Sequence, residues 1–419
     1  MSAVAIAVAG GVALAVAMGI GRFAFTPILP MMLHDGVVDL HAASWLASAN
    51  YLGYLSGAVL CTLQPRIWSR LPGLPAVTAP AMTRTGLVAT TVLTLCMALP
   101  APLAWPALRF AAGIASALVF VYSSGWCLTQ IAARGEAALG GLMFAGPGVG
   151  IVASGLLASA MVALHWSASA AWVVFAALAL ILTAAVWRVF QPSVVLAMPA
   201  LDRSASVSGT VSTPGAGDVG ETAFASTHSR AEVATLAFAY GLAGFGYIVT
   251  ATFLPVIARA ALPGSAWLDL FWPIFGVGVI LGALLATRVR VSGDLRLVLA
   301  LAYVIQAAGI GIGVFEPTAG GFAIGSFLLG LPFTAITYFA MQEVRRLRPH
   351  QLSSTTGLVT ATWSIGQTLG PPMVAMLLGR SADVGAAFTL SLVAAAAVLI
   401  VGAIVFGLAS RLWPLTSAG

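Results

Sequence analysis

The sequence predicts an all-α membrane protein, twelve transmembrane helices arranged as two pseudo-symmetric six-helix halves. Three observations carry that prediction. Of 419 residues, 60% are hydrophobic and 7% charged, against about 25% charged in an ordinary soluble domain. Apolar runs of membrane-spanning length, about 20 residues, recur from end to end. They are continuous rather than alternating, so they read as helices that satisfy their own backbone hydrogen bonds in hydrocarbon, and not as barrel strands. The third observation is a glycine and proline pattern that occurs once in each half.

The first run, roughly 4–33, has no basic segment ahead of it and continues past any plausible cleavage point. It therefore reads as a span and not as a removed signal peptide. The others follow at roughly 41–63, 79–99, 102–131, 137–164, 168–190, 231–258, 266–287, 294–315, 318–343, 353–378 and 384–410. Spans 6 and 12, "WVVFAALALILTAAVW" and "FTLSLVAAAAVLIVGAIVFGLA", are almost free of polar side chains and are expected to face lipid. Polar and aromatic groups gather in spans 1, 2, 4, 7, 10 and 11, which are expected to line a pathway. Between the N-terminal half (1–190) and the C-terminal half (231–419) lies a segment, 191–230, rich in Ser, Gly, Thr and Ala and without helical or strand period. It reads as a flexible cytoplasmic linker.

The net charge is +6, and every basic residue is an arginine. Without lysine there is no Walker-type phosphate loop and no lysine Schiff base. With the N-terminus inside, the inner set is Arg66, Arg70, Arg84, Arg134, Arg188, Arg203, Arg230, Arg288, Arg290, Arg296, Arg345, Arg346, Arg348 and Arg411; the outer set is Arg259 and Arg380. That asymmetry follows the positive-inside rule and predicts cytoplasmic termini. Arginines spread through short loops are not a nucleic-acid footprint. Cys61, Cys96 and Cys127 lie in or beside apolar runs and read as small hydrophobes.

The repeat is in register. Gly19, Gly21, Leu29 and Pro30 recur 225 positions later as Gly244, Gly246, Leu254 and Pro255, and the same offset carries Gly53 and Gly57 onto Gly278 and Gly282. At 217, "RFAAG" (Arg109–Gly113) falls on "SFLLG" (Ser326–Gly330); at 216, Gly150 falls on Gly366. Two six-helix halves in the same orientation match the parallel repeat of major facilitator transporters, whose substrate site lies between the halves. "RFAAGIASA" in span 4 resembles that superfamily's Arg-x-x-x-Gly-x-x-x-Ala signature. "GLMFAGPGVGIVASG" in span 5, with Gly146, Pro147 and Gly150, looks like a reduced form of the Gly-Pro-rich antiporter motif. "GIGRFAFTPILPMM" followed by "WLASANYLGYLSGA" resembles the YbfB/YjiJ family. The loop after span 2 departs from the superfamily pattern: it has Arg66 and Arg70 but no acidic residue.

Arg22 lies near the middle of span 1, where a cation costs roughly 2.5–3.5 kcal/mol by insertion scales. In superfamily members that move organic anions, a cation on the first helix commonly pairs with the substrate. Guanidinium suits this, being always charged and able to fork onto two oxygens. The other reading is a structural arginine satisfied by carbonyls or Tyr hydroxyls. Arg109, about seven residues into span 4, reads either as a coupling residue or as a helix-packing residue that snorkels outward. Acidic residues collect near the loops: Asp35, Asp39, Glu316 and Asp383 outside, Glu136, Asp202, Asp218, Glu221, Asp294 and Glu343 at or beyond the inner face, Glu232 starting span 7, and Asp269 about one turn into span 8. A cavity with two arginines and no midplane carboxylate favours anions. Asp269 is the protein's candidate proton carrier, or else an interfacial helix-start carboxylate; a substrate carboxyl is the alternative carrier.

Asn50, Tyr54, Tyr122, Trp126, Tyr338, Trp363 and Gln367 complete the candidate lining, and Tyr247 occupies the repeat position of Arg22. Each alone is more often helix–helix glue than a substrate contact. Gly146, Pro147 and Gly150 are candidates for conformational change. The expectation is a secondary transporter, not an enzyme, of the bacterial inner membrane. It would work as a monomer by alternating access, moving a small organic carboxylate with protons. Efflux of drugs or metabolites is the alternative, and a membrane-embedded enzyme or sensor a remote one. The expected partners are a small-molecule substrate, protons and the lipid bilayer, with no nucleic acid, cofactor or metal.

Overall fold

The computed structural model describes residues 1–70, 78–191, 230–265, 267–289, 293–348, 352–381 and 383–414. Most of the expected linker, 192–229, lies outside the described residues, as do Arg203 and Arg290. Among the described residues the chain is all-helical. Its twelve spans are α1 (Ala3–His34), α2 (Leu40–Arg70), α3 (Ala79–Cys96), α4 (Trp105–Ala132), α5 (Gly140–Ala163), α6 (Ala168–Val186), α7 (Arg230–Ala261), α8 (Phe271–Ala286), α9 (Leu295–Phe315), α10 (Ala319–Leu347), α11 (Leu352–Arg380) and α12 (Val384–Leu412). Of these, nine described segments are long and apolar enough to cross a membrane by length and composition alone. The other three are α8, apolar but 16 residues long, and the threonine-rich α3 and α11. Their hydroxyls are accommodated by bonding back one turn: Thr90 Oγ1 donates to the Gly86 carbonyl at 2.8 Å, and Thr368 Oγ1 to that of Ser364 at 2.8 Å.

Starts are capped as the sequence allows. Ser2, Thr78, Ser167, Asp294, Thr318 and Asp383 each accept a hydrogen bond from a backbone N–H in the first turn that follows. Ends shift from expectation by a few residues. The largest difference is α2, which continues past 63 to Arg70.

The two halves, α1–α6 and α7–α12, pack by the same device. A Cβ on Gly113 of α4 would strike the carbonyl of Asn50 and the amide of Tyr54 on α2. A Cβ on Gly330 of α10 would strike the carbonyl of Phe275 and crowd the amide of Val279 on α8. These contacts map onto each other at the offsets read from the sequence, so small residues set equivalent helix pairs in backbone contact. The third and sixth helices are also tied alike. Arg84 at the start of α3 donates to the Trp187 carbonyl after α6, at 2.7 Å; Arg296 at the start of α9 donates to the Trp413 carbonyl after α12, at 2.6 Å.

The first helices differ. α7 is one continuous helix, Arg230–Ala261. α1 is broken: an α-helix ends at Leu14, residues Ala15–Ile20 form a π-helical segment, residues 21–24 a turn, and helix resumes at Phe25. The Gly21 amide donates to the Val16 carbonyl at 2.8 Å and that of Phe23 to Met18 at 3.0 Å, each five residues back. Such widened turns are frequent at functional sites. The sequence suggests bending here, from its glycines and prolines, but not this change of helical register.

Candidate functional site

The break in α1 delivers Arg22 to the centre of the bundle, between the halves. The residue is 3% exposed. Its Nη2 donates to Oε1 of Gln367 on α11, and Gln367 Nε2 donates in turn to the hydroxyl of Tyr247 on α7. The charge is sheltered by rings: the guanidinium carbon lies 4.4 Å from the Tyr54 centroid, 4.9 Å from that of Tyr51 and 5.3 Å from that of Phe23. Cation–π contacts of this kind stabilise a desolvated cation by about 2 kcal/mol or more. They do not neutralise it, and Arg22 Nε has no hydrogen-bond partner. Arg22 is therefore neither turned to lipid nor locked onto carbonyls.

Arg109 is the arginine that is locked. Its Nη1 and Nη2 donate to the carbonyls of Gly21 (3.3 Å) and Arg22 (3.1 Å), and it covers the Phe25 ring at 4.8 Å. These carbonyls belong to the turn that interrupts α1, so Arg109 supplies donors to backbone acceptors that a regular helix would have paired internally. Buried at 2% exposure, it does not snorkel.

Across the interface, Tyr247 stacks on Trp363 of α11 (centroids 5.3 Å apart, planes at 26°) and meets Phe333 of α10 edge-on at 4.9 Å. Tyr240 continues the pile against Trp363 at 4.6 Å and donates to Thr337 Oγ1 at 3.0 Å. On the side of the site away from the termini, three hydrogen bonds join the halves: Thr26 Oγ1 to the Ala251 carbonyl (3.0 Å), Ser48 Oγ to the Thr368 carbonyl (2.8 Å), and Tyr51 with Thr252 Oγ1 (2.8 Å). On the termini side, Tyr122, Trp126, Thr337 and Tyr338 are only partly buried.

Of the residues singled out from sequence, Arg22, Tyr54, Tyr247, Trp363 and Gln367 converge. Asn50 does not: its Nδ2 donates to the Arg109 carbonyl at 2.9 Å, tying α2 to α4. Tyr122 reaches Gln64 at 3.4 Å, Trp126 packs on Phe190, and Tyr338 packs on Phe339. Asp269 lies in the turn before α8, not within it, and pairs there with Arg259. Gly146 and Gly150 of α5 abut the backbone of α1 at Gly11 and at Ala15 and Gly19, while Gly148 abuts α8 at Gly276 and Ile280. The Gly-Pro segment thus bridges the π-helical stretch and the other half. Sequence reasoning missed Phe23, Tyr51 and Phe333. Tyr51 was within reach, three residues before Tyr54 and hence on the same helix face.

A buried polar and aromatic cluster between two repeat-related six-helix halves is set in the architecture of the major facilitator class. The fold is shared by solved structures that include two of the same transporter. Nucleoside transporter NupG in its D323A mutant form is 14% identical, with a TM-score of 0.68 over 96% of this chain and 99% of that one. A second NupG structure is 13% identical, with a TM-score of 0.65 over 98% and 100%. No curated protein matches the chain. Residues 14–406 match the family described as uncharacterised MFS-type transporter YbfB, and the chain belongs to that family.

Proposed function

We propose that this protein moves a small organic carboxylate together with protons, by alternating access of the two halves across the bacterial inner membrane, with cytoplasmic termini. The supporting observation is Arg22: a buried cation between the halves, held by a neutral amide, with an unpartnered N–H. A guanidinium so placed is a ready receptor for a carboxylate, which would replace a neutral hydrogen bond with a charge-assisted, bidentate one. No carboxylate touches it among the described residues, so nothing competes for the anion. Asp269 is paired with Arg259 away from the site, so it is not the group that couples the proton to the carboxylate on Arg22. Efflux is favoured by one feature, the Gly146–Gly150 segment that joins the halves.

Proteoliposomes carrying the protein and an inward proton gradient should accumulate labelled monocarboxylates or dicarboxylates. A labelled nucleoside serves as comparison, since a neutral heterocycle has no use for Arg22. Uptake of acids should drop by about two orders of magnitude in Arg22→Gln, in line with the loss of a charged hydrogen-bonding partner, while the variant still folds. Undiminished uptake in that variant removes Arg22 from the site. Absence of uptake, with expressing cells less susceptible to toxic compounds, supports efflux instead.

A further inference from the structure

We infer that the anion is an aromatic monocarboxylate, and that its carboxylate takes the place of the Gln367 amide on Arg22. This rests on the anion reading above and narrows it by two arguments, one from charge and one from shape.

The charge argument concerns valence. Two arginines are buried at this level of the bundle, but they are not equivalent receptors. Arg109 has both terminal nitrogens on the carbonyls of Gly21 and Arg22 and its face on Phe25, so it is committed to α1 although its Nε lacks a partner. Arg22 alone presents a guanidinium held by a side chain that can rotate away. One available guanidinium matches one carboxylate. A second carboxylate on the same ligand would be buried against rings with no cation of its own, and an unpaired buried charge is strongly unfavourable.

The shape argument concerns what lies behind Gln367. Its amide bridges Arg22 and Tyr247, and Tyr247 stacks on Trp363. When Gln367 leaves the guanidinium, the group that replaces it sits beside that stacked pair, with Tyr54 flanking the charge. Trp363 is already flanked by Tyr240 and Tyr247, so a flat ring attached to the carboxylate packs against Tyr247 and Tyr54 and gains ring–ring contact beyond simple burial. An aliphatic acid of the same charge gains only buried area.

The test uses the full-length protein, purified in detergent, with thermal unfolding followed as benzoate, acetate, phthalate or benzamide is added. Benzoate should raise the melting temperature, with half-effect at a concentration at least about threefold below that of acetate, a ratio within the range of one aromatic pair. Phthalate and benzamide should have no effect. Gln367→Glu places a built-in carboxylate on Arg22 and should abolish the benzoate response. Gln367→Ala removes the amide that the carboxylate must displace and should move the benzoate half-effect to lower concentration, which separates occupancy from misfolding. Acetate as effective as benzoate overturns this inference and leaves the anion reading standing. Phthalate as effective as benzoate overturns the single-charge assignment. Benzamide as effective as benzoate, or no response to any acid from a protein that melts cooperatively, overturns both readings.

Discussion

The first and fourth helices of the two halves occupy equivalent places and are built differently. In the first half α1 is interrupted by a π-helical segment and a turn, and Arg109 of α4 donates to the carbonyls the turn leaves open. In the second half α7 runs unbroken, and the repeat position of Arg109 is Ser326, whose hydroxyl has no partner and which lines a small cavity with Thr250 and Leu254. The side chain at one position follows the backbone state of its neighbour. A broken helix offers carbonyls, so a long multi-donor side chain is held there. A continuous helix has none to offer, and a small residue is enough. The same divergence separates Arg22 from Tyr247. The first half contributes the cation, and the second contributes the ring and, through Gln367, the amide that holds it.

The termini ends differ too. Arg84 and Arg296 make the same third-to-sixth-helix tie, but only Arg296 is surrounded by acids. It is 3% exposed and pairs with Glu232 at 3.1 Å and Asp294 at 2.7 Å, with Glu343 at 3.8 Å; Arg346 joins Glu343 at 2.5 Å. Replacing Arg296 by Met should therefore produce the largest loss, about 3–5 kcal/mol, because it removes one of the two arginines, Arg296 and Arg346, that share the charge of buried Glu232 and Glu343. Arg84→Met should cost far less, its partner being a carbonyl near the surface. Urea melts of both variants in the same detergent check this, and similar losses would end the claim that the two ends are held differently.

The α1/α4 comparison gives the next effect. Arg109→Met strands the Gly21 and Arg22 carbonyls and should destabilise by about 1–3 kcal/mol, the cost of a buried acceptor left unpaired. Ser326→Ala removes a hydroxyl that has no partner to lose and should stay within about 0.5 kcal/mol of the parent. Thermal unfolding of the pair is decisive: equal effects would mean that Arg109 does not compensate for the break in α1.

The smallest effect concerns pH. Burial pushes the Asp294 carboxyl up, but hydrogen bonds from the Arg296 side chain and backbone outweigh it and hold the group below the ordinary carboxylate range. A carboxylate whose folded pKa is depressed contributes stability that is complete above its unfolded value and lost as pH falls through the folded one. Asp294→Asn should remove a pH-dependent increment that the parent shows above the carboxylate range and loses in acid. Parallel stability curves for parent and variant across that range would remove Asp294 from the network's energetics.

Much of this was legible in the chain itself. Hydropathy and run length set twelve helices, because in a bilayer the backbone has few alternatives. The repeat offsets, read from recurring glycines, a leucine and a proline, placed Gly113 and Gly330 in equivalent contacts, since only a residue without a Cβ lets helix backbones touch. Arg22 was conspicuous because a mid-span cation is costly, and Tyr247 was reached by adding the repeat offset. Tertiary structure decided what those residues do. Which arginine is locked and which is available depended on a helical register change in α1 that no local pattern encodes, since glycine and proline permit bending without specifying a π-turn. Gln367 became the partner of Arg22 because α11 passes opposite α1, a contact 345 positions apart in sequence. Glu232, Glu343 and Arg296 look like ordinary helix-end charges when read singly. They are buried together because three helix ends and a cap converge, and only packing brings them to one place.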